Sequence, residues 1–268
     1  MSNMHILAAL NGSDGSDTVA GWAAERAQAL GADVTLVHVT PPGWAFRSPE
    51  ENALANKGAE DLLNSAADRL AVSFPGLEIS SKVISGEPGQ TLAGLSASAG
   101  LLVVGTDRRP GAEGQGYGSV SFQIAVTSRC PVAVIPHHLS RPSFGVVVGV
   151  DGSRDSVSAL ELAAGEAQRI REELVIVHAL PTAEAERIRN DVVADSVEWV
   201  HAHFPEVNIR VRVDPIHSAA DALAAASSDA KLLVIGRKGR GGLRVLLGSV
   251  AERALLNVRC PTLLALPA

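Results

Sequence analysis

Val146–Ser156 reads VVVGVDGSRDS, and after a helical stretch Leu174–Pro181 reads LVIVHALP. The same pattern stands earlier in the chain, where Ile6–Asp17 is ILAALNGSDGSD and Val34–Pro41 is VTLVHVTP. Asn11 and Asp151 are 140 positions apart (151 − 11), and so are His38 and His178 (178 − 38). Further on, Leu101–Gly105 (LLVVG) matches Leu232–Gly236 (LLVIG), and Gly118-Ser119-Val120 matches Gly248-Ser249-Val250. Arg129-Cys130-Pro131 matches Arg259-Cys260-Pro261 at an offset of 130 (260 − 130), so the second copy is about ten residues shorter in its middle. An ordered series of matches of this kind is the signature of a duplicated unit. The pattern predicts one domain over 1–137 and a second over 145–268, with His137–Phe144 as linker.

Each copy alternates apolar runs with helical periodicity. The strand candidates are His5–Leu10, Val34–Val39, Leu77–Ile84, Leu101–Val104 and Val132–Ile135 in the first copy. In the second they are Val146–Val150, Leu174–His178, Val207–Val213, Leu232–Ile235 and Thr262–Leu266. Continuous apolar runs, without strict alternation, indicate strands covered on both faces, as in a parallel sheet. Between them, Val19, Trp22, Ala23, Ala27 and Leu30 form one helical stripe, and Val157, Leu160, Ala164 and Ala167 another. The expected fold is α/β: two tandem Rossmann-like domains, each a doubly wound, five-stranded, mainly parallel sheet. Such sheets bind ligands beyond the carboxyl ends of their strands, at the point where strand order reverses. The loops after strands one, two and four are therefore where function is expected.

The loop after the fourth strand of the second copy runs Gly236-Arg237-Lys238-Gly239 and on to Gly248-Ser249. Glycines permit positive φ and close backbone approach. Successive N–H groups and the unpaired amides of a following helix make an anion site. Ser249 either caps that helix or donates to a phosphate, and the helix is expected to carry Val250, Ala254 and Val258 inward. Arg237, Lys238, Arg240 and Arg244 add positive potential to a chain of formal charge −6. The same residues also fit a solvated basic surface loop. Asn11-Gly12-Ser13 and Asp151-Gly152-Ser153 read equally well as turns leading into helix N-caps. His38 and His178 read as strand-end histidines satisfied by their surroundings, for no nucleophile elbow accompanies them.

The glycine loop resembles the nucleotide motif of ATP-binding universal stress proteins: Gly, two residues, Gly, nine residues, then Gly followed by Ser or Thr. Gly236, Gly239, Gly248 and Ser249 fill those positions with eight residues in the long gap, and Val250 follows. In the first copy Gly105, Gly118 and Ser119 fit, Val120 follows, and Arg108 stands where the second Gly belongs, which makes this the weaker site. The resemblance covers nearly the whole chain. It implies Asp151, and Asn11 in the first copy, at the nucleotide pocket, with the backbone of Ala179 or Val39 offered to adenine. It places Gly86 near the pocket in the first copy, where the second copy has His217. It implies ATP, accompanied by Mg²⁺, as ligand, a role in stress response, slow hydrolysis if any, and a protein partner that reads nucleotide state. It also implies pairing of the last strands, PVAVIP and PTLLALP, which would make an intramolecular pseudo-dimer and allow a further homodimer. Two rival readings are an interaction module without nucleotide and a related nucleotide hydrolase or transferase.

Other classes are disfavoured. A negative chain lacks the basic surface that a general nucleic-acid grip needs. No apolar run approaches the ~20 residues of a bilayer span. No basic-then-apolar leader opens the sequence, so a cytoplasmic location is expected, with Cys130 and Cys260 as free, buried thiols. There is no G-x-x-x-x-G-K-[ST] loop, and no G-x-G-x-x-G follows the first strand. His201 and His203 sit two apart, on different faces of a helix, and make a poor metal pair.

Overall fold

A computed structural model describes residues 4–41, 48–106, 120–139, 143–179, 185–239 and 247–266. The chain divides into two compact units, Met1–His138 and Leu139–Ala268. Unit 1 contains β1 (His5–Ala9), α1 (Ser16–Leu30), β2 (Asp33–Thr40), α2 (Pro49–Ser73), β3 (Ile79–Ser85), α3 (Pro88–Leu95), β4 (Leu101–Gly105), α4 (Val120–Thr127) and β5 (Val132–Ile135). Unit 2 repeats the order with β6 (Val146–Gly149), α5 (Arg154–Ile170), β7 (Leu174–Ala179), α6 (Ala185–His203), β8 (Ile209–Asp214), α7 (Ala219–Ala226), β9 (Leu232–Gly236), α8 (Ser249–Leu256) and β10 (Thr262–Ala265). All ten expected strands are present, each within two residues of its predicted limits.

Within unit 1 the strands lie in the order β3-β2-β1-β4-β5, and within unit 2 in the order β8-β7-β6-β9-β10. Every neighbouring pair inside a unit is parallel. Order reverses between β1 and β4, and between β6 and β9, which opens a crevice at the carboxyl ends of those strands. Strands β4 and β9, inside the sheet of each unit, carry four-residue buried runs, whereas β3 and β8, each at a margin, are largely exposed. That is the burial expected of strands sandwiched between helices and of strands at a sheet margin.

In unit 2, α5 packs on β6, β9 and β10, while α7 packs on β6, β7 and α8. The α5 face toward the sheet is Ala159, Leu160, Ala163, Ala164 and Ala167, all buried. These small side chains let helix and sheet approach closely in a chain with only 3% aromatics. Two positions of the expected stripes point outward instead: Leu30 ends α1 at 39% exposure, and Val157 on α5 is 51% exposed. The shortening of the second copy falls between β7 and β8, since Ile79 and Ile209, the first residues of β3 and β8, are 130 apart (209 − 79).

The two histidines at the second-strand ends are structural. His178 is 2% exposed, and its Nδ1 is 2.6 Å from the Val150 carbonyl; His38 Nδ1 is 2.7 Å from the Leu10 carbonyl. A carbonyl only accepts, so each ring donates from Nδ1 and holds the end of the neighbouring strand where its loop departs. The presumed linker is tied at both ends: Thr18 Oγ1 donates to the His137 carbonyl at 3.0 Å, and Phe144 N–H to the Asp229 carbonyl at 2.9 Å.

At the opposite edge of unit 2, Glu172 accepts from Gly145 N–H at 2.9 Å and from Lys231 Nζ at 2.6 Å. These contacts hold its carboxyl below the ordinary 4.5, the Lys231 bond contributing most. A depressed carboxylate stabilises the fold above its unfolded value and loses that contribution as pH falls through the folded value. Denaturant titrations of wild type and Glu172→Gln should therefore differ most at pH 7, with the gap narrowing once the pH drops below about 4.5.

Candidate functional site

The crevice of unit 2 holds a cavity of about 350 Å³, inside the ~300–1,000 Å³ range of small-molecule sites. The ends of β6, β7 and β9 and the helices α5, α7 and α8 build it, α5 contributing Ser156. The end of β6 supplies Gly149, Val150 and Asp151; β7 supplies Val177 and Ala179; α7 supplies Ala219 and Leu223; the β9 loop and α8 supply Ile235 to Gly239 and Leu247 to Glu252. Leu223 reaches the site because Gly149 has no side chain: a Cβ there would lie 2.9 Å from Leu223 Cδ1. One end of the cavity is consequently apolar, and the other is main chain and charged side chains.

The turn after β6 is fixed locally. Asp151 Oδ1 accepts from Ser153 N–H at 2.9 Å, Gly152 takes φ +76°, and Ser153 caps α5 through a 3.2 Å bond from Ser156 N–H. Capping belongs to Ser153, which leaves Asp151 on the cavity wall. A β-branched residue at position 152 would be strained at that φ.

The glycines of the β9 loop are there for closeness rather than for positive φ, since none of Gly236, Gly239 and Gly248 is among the positive-φ residues of the described chain. A Cβ on Gly236 would sit 2.7 Å from Asp155 Cβ and 2.8 Å from the Asp155 backbone. One on Gly248 would meet the Arg237 carbonyl at 3.3 Å and Lys238 Cα at 3.4 Å. One on Gly239 would lie 2.6 Å from Asp151 Oδ2. The neck of the loop is closed by Gly248 N–H donating to the Arg237 carbonyl at 2.7 Å.

Helix α8 begins immediately beyond. Its N-cap is Gly248, with no side-chain capping bond, so the amides of the first turn face the cavity uncapped by any side chain. Unpaired amides and the positive end of the helix dipole favour an anion there. Ser249 is the first helical residue, exposed, and is not the cap that the sequence allowed for. Val250 and Ala254 are half-buried and Ala251 is the fully inward residue; Val258 lies past the helix end at Asn257. Arg237 is 7% exposed and lines the cavity, so it is no part of a solvated basic face, whereas Lys238 is exposed. Arg240 and Arg244 lie outside the described residues.

All seven residues selected in the second copy, Asp151, Ala179, Gly236, Gly239, Gly248, Ser249 and Val250, line this one cavity. Sequence reading missed Val150, Val177, Ala219, Leu223 and Glu252. Gly149 inside an apolar strand was the one signal of a close neighbour there. His217 is absent from the cavity wall; it hydrogen-bonds Asp214 at 2.9 Å, and that surface turn draws the Asp214 carboxyl down to about 2.

Unit 1 differs. Asn11 and Gly105 come together there, but the described residues enclose only about 10 Å³, with His137 among the lining groups. His137 Nδ1 would be 2.7 Å from a Cβ on Gly15. Val39 does not line that space, Val120 opens α4, and Arg108, Gly118 and Ser119 lie outside the described residues. Elsewhere, both cysteines are buried and neither is in a disulfide, and burial pushes the Cys260 thiol up to about 12. Among the described residues no group of three His, Cys, Asp or Glu could hold a metal ion, and no helix is long and apolar enough to cross a membrane.

A doubly wound α/β unit present twice, with a glycine neck and a bare helix start at the switch point of unit 2, defines the class. The chain belongs to the universal stress protein family, whose model matches residues 2–136 and 145–265. It is 30% identical over 296 aligned residues to a universal stress protein of Mycobacterium tuberculosis, covering 97% of this chain and 96% of that one. A universal stress protein of Mycolicibacterium smegmatis is 31% identical over 291, covering 98% and 97%. Among solved structures, a universal stress protein from Archaeoglobus fulgidus superposes with a TM-score of 0.78 at 18% identity, covering 98% of this chain and 96% of that one.

Two outcomes are expected. Gly236→Ala sets a methyl against the Asp155 backbone, which side-chain rotation cannot relieve, and should destabilise unit 2 by about 1–3 kcal/mol in urea denaturation. A thiol reagent at pH 8 should leave Cys260 unlabelled in the folded protein and label it once the chain is denatured.

Proposed function

We propose that the chain binds an adenine nucleotide, ATP accompanied by Mg²⁺, in the cavity of unit 2, and that it serves stress response in the cytoplasm as a binding protein rather than a fast enzyme. The observation behind this reading is the convergence of seven sequence-selected residues from three loops on one cavity with an apolar end and an amide end. Val150, Val177 and Leu223 suit the faces of a planar base, and the main chain at Ala179 is the segment to meet its polar edge. The uncapped start of α8 suits phosphate oxygens.

Asp151 and Glu252 also stand on the wall and would repel a bare polyphosphate. A divalent cation removes that conflict. Mg²⁺ is commonly held by one or two carboxylates together with substrate phosphates, and Asp151 is the group we assign to it. Hydrolysis should be slow. The lining contains neither histidine nor cysteine among the described residues, and His178 has its Nδ1 committed to the Val150 carbonyl. The second reading, an interaction module without nucleotide, is favoured for unit 1 by the His137 ring that stands beside Gly15 at its crevice.

Protein purified without added nucleotide, then denatured and chromatographed, should release adenine nucleotide. Calorimetry on the stripped protein should give about one ATP site per chain. Absence of release, together with no heat from ATP, ADP or AMP, would overturn the proposal.

A further inference from the structure

The β9 loop is held from behind as well as at its neck. Asp155, in the first turn of α5, accepts a hydrogen bond from Lys238 N–H at 2.9 Å. Asp155 is absent from the cavity wall, while Lys238 and Gly239 are on it. The Lys238 amide therefore turns away from the cavity, which fixes the Arg237–Lys238 peptide plane. The same helical turn backs Gly236, whose Cβ position is 2.7 Å from Asp155 Cβ. The loop backbone between Gly236 and Gly239 is thus gripped by a single residue through two contacts, one steric and one charge-assisted.

Among the described residues unit 1 shows no such grip. The residue equivalent to Asp155 is Gly15, 140 positions earlier (155 − 15), and the space beside it is taken by the His137 ring. Among the described residues, a Cβ on Gly105, the equivalent of Gly236, would meet the tip of Val19 at 3.3 Å. One copy of the repeat therefore places a carboxylate behind its loop, where the other has a glycine.

We infer that Asp155 is a positioning residue for polyphosphate binding: it touches no ligand and presets the Lys238–Gly239 turn so that the phosphate end of the cavity is formed before ligand arrives. This inference rests on the nucleotide reading of the unit 2 cavity. Presetting a turn spares the ordering cost that a loose loop would charge against affinity. The effect should fall on phosphate recognition alone, because the apolar end is built by β6, β7 and α7, which Asp155 does not hold.

The test compares wild type, Asp155→Ala and Asp155→Asn by calorimetry with ATP and with adenosine, and follows amide exchange at Lys238. Asp155→Ala should weaken ATP binding about tenfold, the scale of one charge-assisted hydrogen bond, and leave adenosine binding unchanged. Asp155→Asn, which keeps an acceptor oxygen, should recover most of the loss. The Lys238 amide should be protected from exchange in wild type and unprotected in Asp155→Ala. Unchanged ATP affinity in Asp155→Ala, or an equal loss for ATP and adenosine, would overturn the inference and leave the nucleotide reading standing. Wild type that binds neither ligand would remove both. If Asp155→Ala does not fold, rapid exchange of the Lys238 amide in wild type still refutes the anchor.

Discussion

The site in unit 2 depends on backbone meeting backbone. The end of β9 lies against the first turn of α5, and the start of α8 lies against the departing loop, at separations that leave no volume for a Cβ at Gly236 and little for one at Gly248. Everything functional follows from that proximity. It brings the uncapped first turn of α8 next to the strand ends and closes the neck by one main-chain hydrogen bond. It also aligns the loop with the carboxylates of Asp151 and Asp155. A protein interior has little free volume to absorb an added methyl at such a contact.

The duplication makes the chain its own control. Both units share strand order, the strand-end histidine and the turn after the first strand. They part at the crevice. Leu223 and Gly149 open an apolar recess in unit 2, while His137 folds back beside Gly15 in unit 1. Identical architecture therefore does not impose identical chemistry; a handful of side chains at the switch point decides it.

The fold was legible because its signals are local and repeated: ten apolar runs at matching offsets, with helical periodicity between them. The motif residues of the second copy were legible because small, polar and strand-terminal residues recur where strands end. Less readable was why the glycines are needed. Their φ values are ordinary, and the demand comes from Asp155 and Arg237, which are close only after folding. Arg237 looked like a surface cation because charge in a glycine-rich loop usually is; packing of α8 and β9 around it was invisible in one dimension. Leu223 and Glu252 were missed for the same reason, since they belong to helices whose orientation only the tertiary fold sets. His217 was placed by alignment with Gly86, yet Asp214 captures it within its own turn.

The bond from Gly248 N–H to the Arg237 carbonyl works as a clasp. What lies on the far side of a clasp can change size without altering what the clasp holds. The eight-residue gap here, against nine in the family motif, changes the closure entropy by only about 0.1 kcal/mol. In entropy terms the length of that segment is therefore cheap to change, while the Arg237–Gly248 neck stays closed.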